Sequence, residues 1–239
     1  KNREKLIREA FTAAGFTITD NGMNPLAELF EDTLKAHQDI RAGDDVAHPE
    51  VDIISVWEDY LDQLSAYEII RGNINPQSIK SLAVHYECRI NPVWPMPGMV
   101  ELLATLKDRG YPMSIVSNAQ FFTHLLFPAL LDETPESLGF IGESCVWSFE
   151  LRRAKPSITL FETVAEYFEQ KLKIRPDNLL YIGNDMLNDV YPASQIGMKT
   201  ALFAGDNRSL RWREDVEECQ GLKPDATITE LKQVLDILG

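Results

Sequence analysis

Residues 179–189 read Leu-Leu-Tyr-Ile-Gly-Asn-Asp-Met-Leu-Asn-Asp, and this stretch decides the fold class. Leu179, Leu180, Tyr181 and Ile182 form a short apolar run, as expected of a strand buried within a sheet. Gly183 permits a sharp exit from that strand. Asp185 and Asp189 then stand four positions apart, with Asn184 and Asn188 interleaved. If a helix begins here, the spacing turns both carboxylates to one side. Mg²⁺ asks for such a set: few protein carboxylates, with water and substrate oxygens completing the shell. A helix N-cap followed by acids at the positive end of the helix accounts for the same residues. This stretch taken alone does not separate the two readings.

Outward from it, helical and strand patterns alternate. Val100–Arg109 reads as a helix stopped by Gly110, Met113–Val116 as a strand, and Cys145–Phe149 as another. Pro156–Leu172 has the pattern of a long amphipathic helix. Val190–Ile196 is a helix closed by Gly197, Lys199–Phe203 a strand, Asp225–Ile228 a strand and Leu231–Leu238 a final helix. Such alternation predicts an α/β fold with a doubly wound parallel sheet, whose ligands collect at the carboxyl ends of the strands. Residues 1–90 have a different texture. Leu6, Ile7, Ala10, Phe11 and Ala14 recur at intervals of one, three and four, and so do Leu26, Leu29, Phe30 and Leu34. The same spacing relates Ile53, Ile54, Trp57, Tyr60, Leu61 and Leu64, and again Ile79, Leu82, Ala83 and Tyr86. These stripes predict a helical bundle whose apolar faces form its core. Pro92, Pro95 and Pro97 make a stiff connector, so the chain divides into a helical domain, 1–90, and an α/β domain, 91–239.

Two further clusters fall where ligands of such a sheet are expected. Ser117 and Asn118 follow the strand at 113–116, and a hydroxyl with neighbouring backbone N–H groups can hold phosphate oxygens there. Lys155, in Arg-Ala-Lys-Pro at 153–156, precedes a helix that Pro156 is suited to open. Its ammonium can neutralise a phosphate or a carboxylate as a compact point charge. Each has an ordinary alternative, a common Ser-Asn turn and a surface lysine.

Their order carries more than any one of them. A strand ending in Ser-Asn, a Lys-Pro before a helix, then a strand ending in Gly-Asn-Asp-x-x-x-Asp resembles the haloacid dehalogenase-like (HAD) superfamily of hydrolases. Ala193, Gly197, the strand at 199–203 and Pro-Asp-Ala at 224–226 are similar to that family's last third, and residues 1–90 resemble its inserted helical cap. The resemblance implies a Rossmann-like core and Mg²⁺ chemistry. In it Ser117, Asn118 and Lys155 bind phosphate, Ser117 and Lys155 assist catalysis, and Asp185, Asp189 and Asn184 belong to the metal site. Asn184 stands where many relatives carry an aspartate, so the division between Asn184 and Asp185 as direct ligand stays open. The family's nucleophile is an aspartate at the end of the first, central strand, with a second acid two residues on. No apolar strand followed by such a pair occurs here: Asp44 and Asp45 fall in a polar loop and Asp52 precedes a helix. That strand is therefore expected upstream of Lys1, since its neighbours in a parallel sheet would otherwise be left with open edges.

The implied reaction is hydrolysis of a small phosphate monoester through an aspartyl phosphate. A helical cap closing over such a site would exclude water and select small soluble esters. Two rivals stand beside it. Metal-free 2-haloacid dehalogenases share the Ser-Asn and the Lys but lack paired acids after glycine. A non-catalytic binding protein of the same fold would explain the missing nucleophile. Arg208, Arg211 and Arg213 offer a grip for a second anionic group, or simply the solvated start of a basic helix.

Bulk properties narrow the partners. With 37 acidic and 23 basic residues the formal charge is -14, which argues against nucleic acid and against an anionic membrane surface. No apolar run reaches membrane-spanning length, and the amino-terminal residues do not form a signal peptide. Cys88, Cys145 and Cys219 lack metal or disulfide spacing and read as buried thiols in a reducing, cytoplasmic setting. The four histidines show no paired spacing. The expected partner is a small phosphorylated metabolite; nothing in the sequence fixes an oligomeric state.

Overall fold

The computed structural model describes residues 2–19, 24–43 and 46–239. Asp44 and Asp45 lie outside the described residues. The chain divides into two compact units, Lys1–Trp94 and Pro95–Gly239.

The first unit is built from α1 (Arg3–Ala13), α2 (Leu26–Ala42), α3 (Ile53–Ala66) and α4 (Pro76–Ile90). The start of α4 follows directly from its sequence. Asn75 Oδ1 accepts from Gln77 N at 2.9 Å and Ser78 N at 3.0 Å, and Ser78 Oγ accepts from Asn75 N at 3.0 Å. Pro76 occupies the first turn, where its missing N–H costs nothing. The stripes meet in an aromatic core: the Phe30 ring lies 4.2 Å from Trp57, 5.4 Å from Tyr60 and 5.2 Å from Tyr86, centroid to centroid. A small antiparallel pair, β1 (Thr17–Ile18) with β2 (Ile70–Arg71), is added to the helices. Two residues per strand are too few to leave a periodic signal.

The second unit contains α5 (Met99–Asp108), β3 (Val116–Ser117), α6 (Thr123–Leu131), β4 (Val146–Trp147), α7 (Ser148–Leu151) and α8 (Thr159–Tyr167). After these come β5 (Leu180–Gly183), α9 (Tyr191–Gln195), β6 (Lys199–Phe203), β7 (Ala226–Ile228) and α10 (Val234–Leu238). Strands β5, β6 and β7 pair in parallel, with Leu180 opposite Lys199 and Ala201 opposite Ala226. β3 and β4 form a second parallel pair, Val116 opposite Val146. Leu160, Phe161, Val164 and Phe168 of the α8 region pack with Val116 and Val146, all buried.

Several elements differ from the sequence expectation. Helix α6 carries Pro128 in its interior and no periodic stripe, so nothing marked it beforehand. The helix expected over 156–172 is α-helical only from Thr159 to Tyr167; residues 168–172 widen into a π turn, and 155–156 form a turn before it. A second π turn, Met186–Val190, precedes α9. The strand expected at 113–116 is paired as a ladder only at Val116–Ser117, with Met113 making an isolated bridge to Phe140. The strand expected at 145–149 turns helical at Ser148.

Among the described residues the ladder of β3 runs on one side only, and so does that of β5. Between their two open edges lies an apolar cleft of about 710 Å³, lined by Ile115 and Val116 from one side and Leu180 and Ile182 from the other. Among the described residues no strand pairs with either edge across this cleft.

Candidate active site

Each predicted site residue follows a strand or precedes a helix of the second unit, and short hydrogen bonds tie them together. Ser148 is wholly buried; its Oγ accepts from Ala119 N at 2.9 Å and donates to Ala119 O at 3.1 Å. That pair fixes the segment leaving β3, which ends at Ser117 and is followed by Asn118. Asn118 Oδ1 accepts from Lys155 N at 2.7 Å, and its Nδ2 donates to Lys155 O at 3.4 Å. The asparagine side chain thus holds the lysine backbone as another strand would. The Lys155–Pro156 peptide is cis. Ser117 Oγ donates to Asn118 O at 3.4 Å.

Lys155 then reaches inward. Its ammonium donates to Asp189 Oδ1 at 2.6 Å and lies 3.4 Å from the Tyr181 hydroxyl. The side chains of this pair are 12% and 5% exposed, so water does little to screen it. Asp189 Oδ2 accepts from Asn184 N at 2.9 Å and from Asp185 N at 3.0 Å. The Tyr181 hydroxyl also lies 3.2 Å from Asp189 Oδ1 and 3.1 Å from Val116 O. Burial first, then the Asp189 carboxylate, push the tyrosine's pKa well above its usual value. Gly183 is required for packing as well as for the turn. A Cβ there would overlap Cβ, Cγ and Oδ2 of Asp189.

Asp185 fills the capping role that its sequence allowed. Its Oδ1 accepts from Leu187 N at 3.0 Å and Asn188 N at 3.2 Å, so it caps the turn that follows. Asn188 Nδ2 donates to Oδ2 at 3.1 Å, and Arg213 engages the carboxylate through Nε at 3.0 Å and Nη2 at 2.7 Å. Burial works to raise the Asp185 pKa, but the Arg213 guanidinium and the amides of Asn188 and Leu187 outweigh it and hold the carboxyl below its ordinary range. Arg213 is raised in turn, chiefly by that hydrogen bond.

The structure therefore brings the segment of Ser117 and Asn118, Lys155, Asn184, Asp185 and Asp189 into one connected cluster. Sequence reasoning missed the part that Tyr181 and Arg213 play. A phenol inside an otherwise aliphatic strand was a signal, because a buried Tyr hydroxyl needs a partner; nothing in the spacing marked Arg213. No helix starts at Arg208, contrary to one of the two expectations for that basic segment. Residues 209–213 instead run beside the Asp185 loop, with Arg211 N donating to Asn184 O at 2.8 Å and Met186 N to Arg211 O at 2.9 Å. The hydrogen bonds that the 184–186 backbone needs outside its own turn explain the choice. Cys88 is exposed, which corrects the expectation of a buried thiol. Burial raises the pKa of Cys145 and of Cys219, so both are poor nucleophiles. Among the described residues, no three His, Cys, Asp or Glu side chains group as a metal cage, and no helix is long and apolar enough to cross a membrane.

Parallel strands carrying a polar cluster at their carboxyl ends define an α/β unit of the Rossmann-like class, accompanied in the chain by a helical domain. The model of the haloacid dehalogenase-like hydrolase family matches residues 59–203, and the chain belongs to that family. Its fold is similar to that of a 2-haloacid dehalogenase from Pseudomonas syringae pv. Tomato DC3000, at 16% identity over 99% of this chain and 89% of that chain, TM-score 0.59. A HAD phosphatase from Thermococcus onnurineus is 16% identical over 99% of this chain and 88% of that chain, TM-score 0.52. The L-2-haloacid dehalogenase PA0810 is 14% identical over 99% and 93%, TM-score 0.53. At such identities the likeness is one of fold, and the relatives span both chemistries. No curated protein matches the chain.

Proposed function

We propose that this hydrolase is a Mg²⁺-dependent phosphatase acting on a small phosphate monoester. The observation that carries the proposal is the chain of contacts from Asn118 to Lys155 to Asp189, which gathers distant residues around one anion-binding corner. Ser117 Oγ, the Asn118 segment and the Lys155 ammonium are the groups that hold phosphate oxygens. Lys155 is oriented at both ends, by Asn118 at its backbone and by Asp189 at its Nζ, so it offers charge without reorganising.

The donor set fits Mg²⁺ in kind. Asp185, Asp189 and the Asn184 amide oxygen are hard oxygen donors. Asp185 already attracts a cation, the Arg213 guanidinium, which stands in for one. When bound there, Mg²⁺ would neutralise charge on the phosphate oxygens.

The attacking group is an aspartate delivered at the end of an apolar strand seated between β3 and β5. The apolar cleft lined by Ile115, Val116, Leu180 and Ile182 supports this, because among the described residues no strand pairs with either of the two parallel edges that face it. Such a strand would come from outside residues 1–239. Its carboxylate attacks phosphorus, the P–O bond to the leaving alcohol breaks, and water then hydrolyses the aspartyl phosphate.

One observation favours a second reading. Arg213 already neutralises Asp185, which suits metal-free displacement of halide from a 2-haloacid. The discriminating experiment uses the protein expressed from its complete gene with a panel of small phosphate monoesters and 2-chloroacids. Phosphate release that needs Mg²⁺ and is lost in Asp185→Asn is expected. Chloride release that persists in EDTA would overturn the phosphatase reading.

A further inference from the structure

Arg213 holds Asp185 in an unusual way for a surface ion pair. Its Nε lies 3.0 Å from Oδ1 and 3.3 Å from Oδ2, and its Nη2 lies 2.7 Å from Oδ2. The Asp185 side chain is 10% exposed, the Arg213 side chain 36%. The carboxylate is thus fixed and nearly buried, while the guanidinium approaches it from the solvent side.

The backbone that carries Arg213 is anchored without help from its side chain. Asn184 Nδ2 donates to Ser209 O at 2.6 Å, and the two hydrogen bonds of Arg211 with Asn184 and Met186 complete a parallel bridge to Asp185. The guanidinium can therefore swing into water while its segment stays in place. If it leaves, Asp185 keeps both amide hydrogen bonds on Oδ1, but Oδ2 retains only Asn188 Nδ2. One carboxylate oxygen becomes available on an otherwise ordered group.

Charge counting points the same way. With Arg213 in place, Lys155 and Arg213 balance Asp185 and Asp189. With Arg213 turned outward the cluster carries one net negative charge and attracts a cation. Guanidinium and metal cannot share the oxygen, because Mg²⁺ demands about 2.0–2.1 Å to its ligands and two cations that close repel.

We infer that Arg213 is a built-in competitor for the divalent cation at Asp185, the two occupying the carboxylate in turn. Arg213 thereby sets how tightly the site holds its ion. This rests on the reading of Asp185 as a metal ligand. A purely structural arginine would instead stabilise the loop and leave metal affinity unmoved or weakened on its removal.

The test is a Mn²⁺ titration, with free ion followed by electron paramagnetic resonance, on the protein expressed from its complete gene and on three variants of it. Arg213→Gln is expected to bind Mn²⁺ about tenfold more tightly than the parent, the scale of a partly exposed two-point ion pair. Arg213→Lys should fall between them, since an ammonium cannot engage both oxygens in fork geometry. Asp185→Asn should lose binding. Equal or weaker Mn²⁺ affinity in a folded Arg213→Gln overturns the competitor role while leaving the metal reading intact. Should Arg213→Gln fail to fold, Arg213→Lys decides, and parent-like affinity in it overturns the role. Binding that survives Asp185→Asn, or is absent from parent and variants alike, overturns both.

Discussion

Replacing Lys155 with methionine removes one charge from a buried pair while nearly preserving side-chain length. In the native protein the 2.6 Å contact to Asp189 joins two side chains that are 12% and 5% exposed. Breaking a buried pair by deleting one partner costs about 3–5 kcal/mol, because the remaining charge stays out of water. Asp189 would keep the amides of Asn184 and Asp185 and the Tyr181 hydroxyl. Those three donors place the expected loss near the lower limit, about 3 kcal/mol. Urea unfolding should then shift its midpoint by about 1–2 M. Hydrogen exchange at the Asn184 and Asp185 amides, which point at the same carboxylate, reports the effect locally even if the two units unfold separately. Adding Asp189→Asn should recover part of the loss, because the neutral amide no longer needs a counter-charge. The coupling from the double-mutant cycle should be at least about 1.5 kcal/mol. A double variant that costs the plain sum of its two single changes would refute the argument that the pair acts as one unit.

Gly183→Ala should destabilise by about 1–3 kcal/mol through overpacking against Asp189, and hydrolase activity should fall with it as the carboxylate is pushed from Lys155; urea melts and initial rates read both, and a parent-like Gly183→Ala protein would sink the packing argument. Asp225 accepts from Thr200 N at 2.9 Å and Thr200 Oγ1 at 3.1 Å, and the Thr200 amide first among several causes lowers its pKa. A depressed carboxylate adds stability that is full above its unfolded pKa, about 3.9, and is lost as pH falls through the lowered folded value. The stability gap between the parent and Asp225→Asn should thus be level near neutrality and close below about pH 4; a gap that widens in acid contradicts the sign.

How much of this was legible beforehand depends on the range of the interaction concerned. The four helices of residues 1–90 declare themselves because burial on one side of a helix writes a stripe every three or four positions. Lys199–Phe203 matches its predicted strand end for end, being apolar and centrally placed between β5 and β7. Helix α6 left no such trace: none of its residues is buried, so burial imposed no period on its sequence. The π turn at 186–190 was equally silent, since one wider turn changes no residue type. At the site, the residue types of Ser117, Asn118, Lys155, Asn184, Asp185 and Asp189 and their order were readable, because each follows a strand or opens a helix. The partner of each was not.

From sequence alone came the class of the molecule, a parallel α/β unit and a helical one, and the positions where polar chemistry interrupts apolar strands. Those are local properties, set by periodicity and by which residues leave a strand. Only the tertiary structure decided that Lys155 neutralises Asp189, that Arg213 claims Asp185, and that β3 and β5 face each other across an apolar cleft. Charge pairing and edge exposure depend on distances across the fold, and segments 28 and 34 residues apart in the chain carry no periodic mark of their meeting.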